Sequence, residues 1–222
     1  MTGDNRQNFR LFVAISIPEP FRNEIIAIQR ELKPLALGDV RWTNPEQLHL
    51  TLKFLGNVPA SAVLPLKSAL TEACAGIQPF VLRARGIGFF PNGRQPRVIW
   101  VGFEDDKNVL AGLQNRVERL IAPFAEKSGS PRGVTTNHAN QTADNSTPRG
   151  KEQFLAHATL GRFQKYRRYK TEQLVPCALT YQHCVFGEWR VAEVILFHSE
   201  LSAAGARHSP VAVFPLGAKL ER

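Results

Sequence analysis

The sequence predicts an α+β fold in which two similar lobes carry antiparallel sheets that line a central cleft, with helices outside. Strand-like and helix-like segments follow one another without the regular alternation of a parallel α/β protein. The chain has 222 residues, 43% of them hydrophobic, which is enough for one sizeable domain or two small lobes. One strand pattern, His-x-Thr-Leu, occurs at His49 and again at His157. This recurrence indicates two related lobes.

The first third of the chain predicts strand, helix and strand in turn. Residues 11–17 are a continuous apolar run that Pro18 closes, which is typical of a buried strand. Residues 21–32 carry apolar side chains three and four positions apart, the stripe of an amphipathic helix. A short extended piece at residues 40–42 and a turn then lead to the alternating strand that begins near His49.

The middle third continues with helices and strands and ends in a segment of different composition. The same two patterns predict helices over residues 60–75 and 109–124 and strands over residues 80–90 and 97–103. Residues 128–150 have no aromatic residue, one Val and many Ser, Thr, Asn, Gly and Pro. Such a segment cannot bury enough apolar surface to offset its ordering entropy. We expect a disordered insertion within a single bilobal domain that spans residues 1–222.

The last third is rich in predicted strands. One strand over residues 154–163 holds His157, and three more are expected over residues 178–186, 189–201 and 211–216, with His208 just before the last. Between them, residues 165–170 interleave four cations with two aromatic rings. This run is equally typical of a surface that binds phosphates and bases and of a solvated connector.

The net charge of +9 favours an anionic partner, with nucleic acid ahead of a membrane. No apolar run approaches the roughly 18 residues of a membrane span, and the polar N-terminus lacks the core of a signal peptide. Cys74, Cys177 and Cys184 have no Cys-x-x-Cys spacing, so we expect free thiols in a reducing cytoplasm. No zinc-binding motif is present, and we expect neither a metal nor another cofactor.

The two His-x-Thr strands are the candidate catalytic site. Strand alternation places His49 beside Thr51 on one face, and His157 beside Thr159 in the same way. Opposed imidazoles suit in-line displacement at phosphorus, because one accepts a proton from the attacking oxygen and the other gives one to the leaving oxygen. The hydroxyls can donate to the non-bridging oxygens, where charge concentrates in the transition state.

The paired tetrads resemble those of the 2H phosphoesterase superfamily. The surrounding sequence resembles its RNA 2′,3′-cyclic phosphodiesterase branch, also called the LigT-like or 2′-5′ RNA ligase family. The segments that match the pattern of this branch include residues 10–14, 41–42, 48–56, 96–100 and 205–207. The resemblance covers nearly the whole chain except the insertion.

The resemblance implies a pseudo-twofold bilobal fold and hydrolysis of a terminal 2′,3′-cyclic phosphate of RNA to a 2′-phosphate. We expect a monomer. It also implies that His49 is the proton donor to the leaving O3′ and that His157 is the proton acceptor that activates water. Thr51 and Thr159 would hold the phosphate.

In this family the residues five places after each motif histidine lie near the nucleotide, which points to Phe54 and Arg162 as substrate-binding residues. On a regular strand an odd offset points to the opposite face. Both side chains therefore need the strand to end or bulge first, and Gly56 and Gly161 are the candidate positions. Ala156 stands where the family usually has Pro.

Two alternatives to hydrolysis remain at this stage. The same acid and base could run the reverse reaction, 2′-5′ RNA ligation, although ~55 M water favours hydrolysis by mass action. The protein could instead bind RNA ends without catalysis. Intact histidines in both tetrads argue against that alternative, since binding alone needs only cations.

Overall fold

The computed structural model of the chain describes residues 7–126, 154–164, 172–202 and 205–218. The predicted insertion at residues 128–150 and the basic run at residues 165–170 lie outside the described residues. Within the described part, two antiparallel sheets and their helices enclose a shared hydrophobic core.

The first sheet has four strands in the order β3-β1-β8-β9, and all neighbours are antiparallel. Its strand β3 lies at an edge and carries the first His-x-Thr tetrad. The strands are β1 (Asn8–Ser16), β3 (His49–Pro59), β8 (Glu193–Ser202) and β9 (Gly205–Pro215).

The second sheet has five strands in the order β2-β6-β5-β4-β7, again with antiparallel neighbours throughout. Strand β6 carries the second tetrad and lies between two partners rather than at an edge. The strands are β2 (Val40–Trp42), β4 (Phe80–Phe90), β5 (Val98–Glu104), β6 (His157–Phe163) and β7 (Val185–Val191).

Four α-helices connect and cover the sheets: α1 (Glu19–Leu35), α2 (Val63–Cys74), α3 (Val109–Ile121) and α4 (Leu174–Leu179). The first three match predicted helices. Helix α1 buries the whole apolar stripe that predicted it, whereas α3 buries Leu113 and Val117 of its predicted stripe together with Leu110 and Ile121. Pro65 falls in the first turn of α2, where its missing N–H breaks no helix hydrogen bond. None of the described helices is long and apolar enough to cross a membrane.

The prediction of a strand over residues 178–186 is wrong. Leu174 and Ala178 are four places apart and both are buried, because α4 places them on one face of a helical turn. Turns follow this helix, and β7 begins only at Val185. In addition, His208 lies inside β9 rather than before it.

Candidate active site

Each sheet contributes one tetrad, and the two tetrads have the same local geometry. Burial alternates along β3, so His49 and Thr51 share its more exposed face while the leucines between and after them are buried. In β6, His157 and Thr159 share the corresponding face. Strands β3 and β6 contact each other, and the charge of His157 contributes to the lowered pKa of His49.

Both imidazoles are anchored through Nδ1 to a carbonyl two residues earlier. Nδ1 of His49 lies 2.7 Å from the carbonyl oxygen of Gln47. Nδ1 of His157 lies 2.8 Å from the carbonyl oxygen of Leu155. Because a carbonyl only accepts, each Nδ1 donates its proton, which leaves Nε2 as the ring nitrogen available for proton exchange.

Burial lowers the pKa of both histidines below the usual range. The pKa of His49 falls to about 4, first through desolvation and further through repulsion by His208 and His157, while the Gln47 carbonyl opposes the shift. Desolvation is also the main cause of the lowered pKa of His157, with a further contribution from the charge of Arg162. Both rings are therefore mainly neutral at pH 7 in the free protein.

A β-bulge turns Phe54 onto the face of the first tetrad. Thr51 pairs with Ala14 of β1 and Lys53 pairs with Val13, so Leu52 is an extra residue on β3. The bulge that precedes Phe54 therefore lies at Leu52, and a second register shift leaves Leu55 as an extra residue beside the predicted Gly56. An extra residue reverses the alternation of side chains, and Phe54, 40% exposed, lies 5.7 Å from the ring of Phe12, which itself contacts the first histidine.

A second bulge does the same for Arg162. Thr159 pairs with Trp100 of β5 and Gly161 pairs with Ile99, so the extra residue on β6 is Leu160. Leu160 and Gly161 are consecutive buried residues, and the exposed Arg162 follows on the face of Thr159. The bulge thus lies one residue before the predicted Gly161. It follows His157 by three residues, as the bulge at Leu52 follows His49.

Aromatic rings around His49 were not predicted as part of the site. The ring centre of Phe12 lies 4.7 Å from that of His49, and the ring of His208 meets it edge-on at 5.3 Å. Phe197 stacks on Phe12 at 5.3 Å, and its ring centre lies 6.4 Å from that of His49. Phe12 belongs to a continuous apolar run, which carries no signal that separates a cleft residue from a core residue.

His157 also lies against aromatic rings, those of Phe90 at 4.9 Å and Trp100 at 6.3 Å between ring centres. The indole of Trp100 lies over Gly88 of β4, where an added Cβ would come within 2.3 Å of the ring. Gly88, which marks a break in the apolar pattern of its strand, thus leaves the space that Trp100 occupies beside His157.

Comparison with known proteins agrees with this geometry. Residues 15–100 match the family model described as LigT like Phosphoesterase. A protein from Thermus thermophilus named RNA 2′,3′-cyclic phosphodiesterase is 32% identical over 93% of this chain and 90% of its own length. A protein of the same name from Methanothermobacter thermautotrophicus is 30% identical over 93% of this chain and 98% of its own.

Among solved structures, E. coli LigT complexed with 3′-AMP superposes with a TM-score of 0.68 at 22% identity, covering 96% of this chain and 100% of that one. That likeness shows the bilobal α+β fold. The fold and the doubled tetrad are those of a 2H phosphoesterase. Together with the sequence matches, they show that the chain belongs to the LigT-like phosphoesterase family, whose relatives here are named RNA 2′,3′-cyclic phosphodiesterases.

Proposed function

We propose that the protein hydrolyses the terminal 2′,3′-cyclic phosphate of RNA to a 2′-phosphate, with His49 as proton donor and His157 as proton acceptor. The observation that carries this proposal is the pair of imidazoles held through Nδ1, each beside a threonine hydroxyl, on strands from two different sheets. The names of the full-length relatives support the reaction and the RNA substrate.

In the proposed reaction, Nε2 of His157 accepts a proton from water as the water oxygen attacks phosphorus. The bond between phosphorus and O3′ breaks, and His49 gives its Nε2 proton to O3′. The products are a 2′-phosphate and a free 3′-hydroxyl. The hydroxyls of Thr51 and Thr159 donate to the non-bridging oxygens, where negative charge increases in the transition state.

The lowered pKa of His49 is consistent with the donor role once substrate binds. An anionic phosphate beside an imidazolium favours the charged form and raises its pKa. Substrate thus favours the proton on the ring that must donate it. The protonated ring of His49 also gives up its proton more readily than an ordinary imidazolium, because desolvation and the charges of His208 and His157 lower its pKa.

We assign Arg162 and Phe54 to substrate binding. The guanidinium of Arg162 follows Thr159 on the same face and can pair with phosphate oxygens. The exposed ring of Phe54, packed on Phe12, offers an apolar surface for a base or ribose.

The described residues contain no cluster of three His, Cys, Asp or Glu side chains that could hold a metal ion. We propose that the reaction needs no metal, because the two imidazoles would supply both proton transfers and the two threonine hydroxyls would stabilise the phosphate charge. The three cysteines are free, as expected for the reducing cytoplasm in which we propose that the enzyme acts. We also propose that it is a monomer.

The proposal is tested by incubating the purified protein with an oligoribonucleotide that ends in a 2′,3′-cyclic phosphate, in excess EDTA. We expect turnover to a 2′-phosphate that is unaffected by the chelator. RNA binding without turnover would support a non-catalytic end-binding protein. Joining of a second oligonucleotide with a free 5′-hydroxyl, in preference to hydrolysis, would support the ligase.

A further inference from the structure

Gln29 is a polar residue on the buried face of α1. It shares this face with Ile25, Ile28 and Leu32, and only 1% of its surface is exposed. A buried amide is costly unless it is hydrogen-bonded. An apolar residue would fill the same place in the helix pattern, so the partners of Gln29 explain why an amide is useful there.

The side chain of Gln29 binds the bulge of β6. Its Nε2 donates to the carbonyl oxygens of Thr43 and Leu160, both at 3.0 Å. The Leu160 carbonyl also accepts the backbone N–H of Thr43 at 2.9 Å. Since Leu160 is the extra residue of β6, Gln29 joins α1, the end of β2 and the bulge in one hydrogen-bonded group.

The other lobe has a weaker version of this arrangement. Nε2 of Gln114, on α3, lies 3.5 Å from the carbonyl oxygen of Leu52, the bulge residue of β3. Both tetrad strands therefore place a bulge three residues after the histidine, with a helix glutamine at the bulge carbonyl. Gln29 makes two shorter bonds where Gln114 makes one long bond, so we expect the bulge of β6 to depend more on its glutamine.

We propose that Gln29 is a positioning residue that holds the β6 bulge so that Arg162 stays on the face of His157 and Thr159. This inference rests on the proposed function. The extra residue at Leu160 is what brings Arg162 to this face. Without the amide, the Thr43 carbonyl loses a buried partner and the Leu160 carbonyl keeps only one, which favours relaxation of the bulge.

The test compares Gln29→Met with Gln114→Met, because methionine has a similar length and no donor. We expect Gln29→Met to raise the KM for a cyclic-phosphate oligonucleotide about tenfold, the scale of one lost hydrogen bond between Arg162 and a phosphate oxygen. The value of kcat should change little, because the His157 ring is anchored separately to Leu155. The limb of the pH profile that belongs to His157 should move to higher pH as the charge of Arg162 moves away, and the limb of His49 should stay in place. Gln114→Met should raise KM less.

A double-mutant cycle with Arg162→Ala asks whether Gln29 acts through that arginine. In the Arg162→Ala background, Gln29→Met should raise KM no further. An equal rise in both backgrounds would overturn the proposal. A lower melting temperature with unchanged KM would also overturn it, because Gln29 would then serve folding alone.

Amide hydrogen exchange at Thr43 gives a measurement that does not depend on turnover. Gln29→Met should speed exchange at Thr43, and Gln114→Met should not. If the wild type failed to hydrolyse a cyclic phosphate, the proposed function would be lost. Unchanged exchange at Thr43 in Gln29→Met would overturn the positioning role, whether or not the wild type is active.

Discussion

The two tetrad strands carry the same His-x-Thr-Leu sequence but have different neighbours. Strand β3 is at the edge of its sheet, whereas β6 has β2 on one side and β5 on the other. Four places after the histidine, β3 has Lys53, whose side chain reaches Glu118 on α3. At the same place β6 has Gly161, where an added Cβ would lie 2.6 Å from Cγ1 of Val40. An edge strand leaves room for a side chain that an enclosed strand does not.

The surroundings of the two histidines differ as well. Phe12, Phe197 and His208 lie near His49, and its pKa falls to about 4. His157 lies beside Phe90 and Trp100, and a cation, Arg162, contributes to its lowered pKa. One motif thus lies in two environments, and desolvation is the main cause of the lowered pKa in both. The neighbouring charges differ, because His208 acts on the first histidine and Arg162 on the second.

The largest expected effect comes from removing either imidazole. His49→Ala and His157→Ala should each lower kcat/KM roughly 10²–10⁴-fold, the usual contribution of a positioned general acid or base. The double variant should lose less than the product of the two, because the groups act as one unit. Steady-state kinetics on a cyclic-phosphate substrate measures these losses.

A substrate with a better 3′ leaving group separates the two roles. It should restore the activity of His49→Ala much more than that of His157→Ala, because only the proton donor becomes unnecessary. Greater restoration of His157→Ala would show that the acid and base are exchanged between the lobes.

The two threonines should contribute less than the histidines. Thr51→Val and Thr159→Val should each lower kcat/KM about 10- to 100-fold, the scale of a hydrogen bond to a charged group. Circular dichroism of each variant controls for misfolding. A loss confined to one variant would mean that only one lobe donates to the phosphate.

The fourth place after each histidine should differ in its effect on stability. Gly161→Ala should lower the free energy of unfolding by about 1–3 kcal/mol, because the new methyl group overlaps Val40 in a packed site. Lys53→Ala should cost about 0–1 kcal/mol, the usual range for a partly exposed ion pair. Urea unfolding of the two variants measures both values, and equal losses would contradict the difference between edge and enclosed strand.

The smallest expected effect is a shift in one limb of the pH profile. The log of kcat/KM should be bell-shaped with both limbs below pH 6.5, since the pKa of His49 is about 4 and that of His157 is also lowered. Activity should fall below the pKa of the base as His157 gains a proton, and at higher pH as His49 loses its own.

His208→Phe keeps an aromatic ring beside His49 and removes a charge that repels its proton. The limb that belongs to His49 should therefore move to higher pH, while that of His157 stays in place. A profile unchanged in both limbs would show that His208 does not contribute to the lowered pKa of His49.

Much of the site follows from patterns that are local in the sequence. Period-two alternation is a property of extended backbone, so it correctly places His49 with Thr51 on one face of β3. Helical stripes likewise locate α1 and α3, because the spacing of buried residues depends on the helix itself. The recurrence of the tetrad can also be read directly from the sequence, and it predicts two lobes.

The sequence predicts that each tetrad strand is interrupted before Phe54 or Arg162, but it does not predict that the bulges lie at Leu52 and Leu160. Phe54 and Arg162 needed a change of face, and glycines were the available candidates. The extra residues fall elsewhere because a bulge is defined by the register against a neighbouring strand, here β1 or β5. The failure at α4 has a related cause, since a short apolar run suits strand and helix equally until its burial is known.

The sequence by itself determined the two tetrads, the face that each histidine shares with its threonine, and the α+β class, because these depend on backbone geometry over a few residues. Only the tertiary structure decided that Phe12 and His208 lie against His49, that Trp100 lies beside His157, and that Gln29 reaches Leu160. These contacts join residues far apart in the chain. Their formation depends on strand register and packing across the fold, which no local pattern encodes.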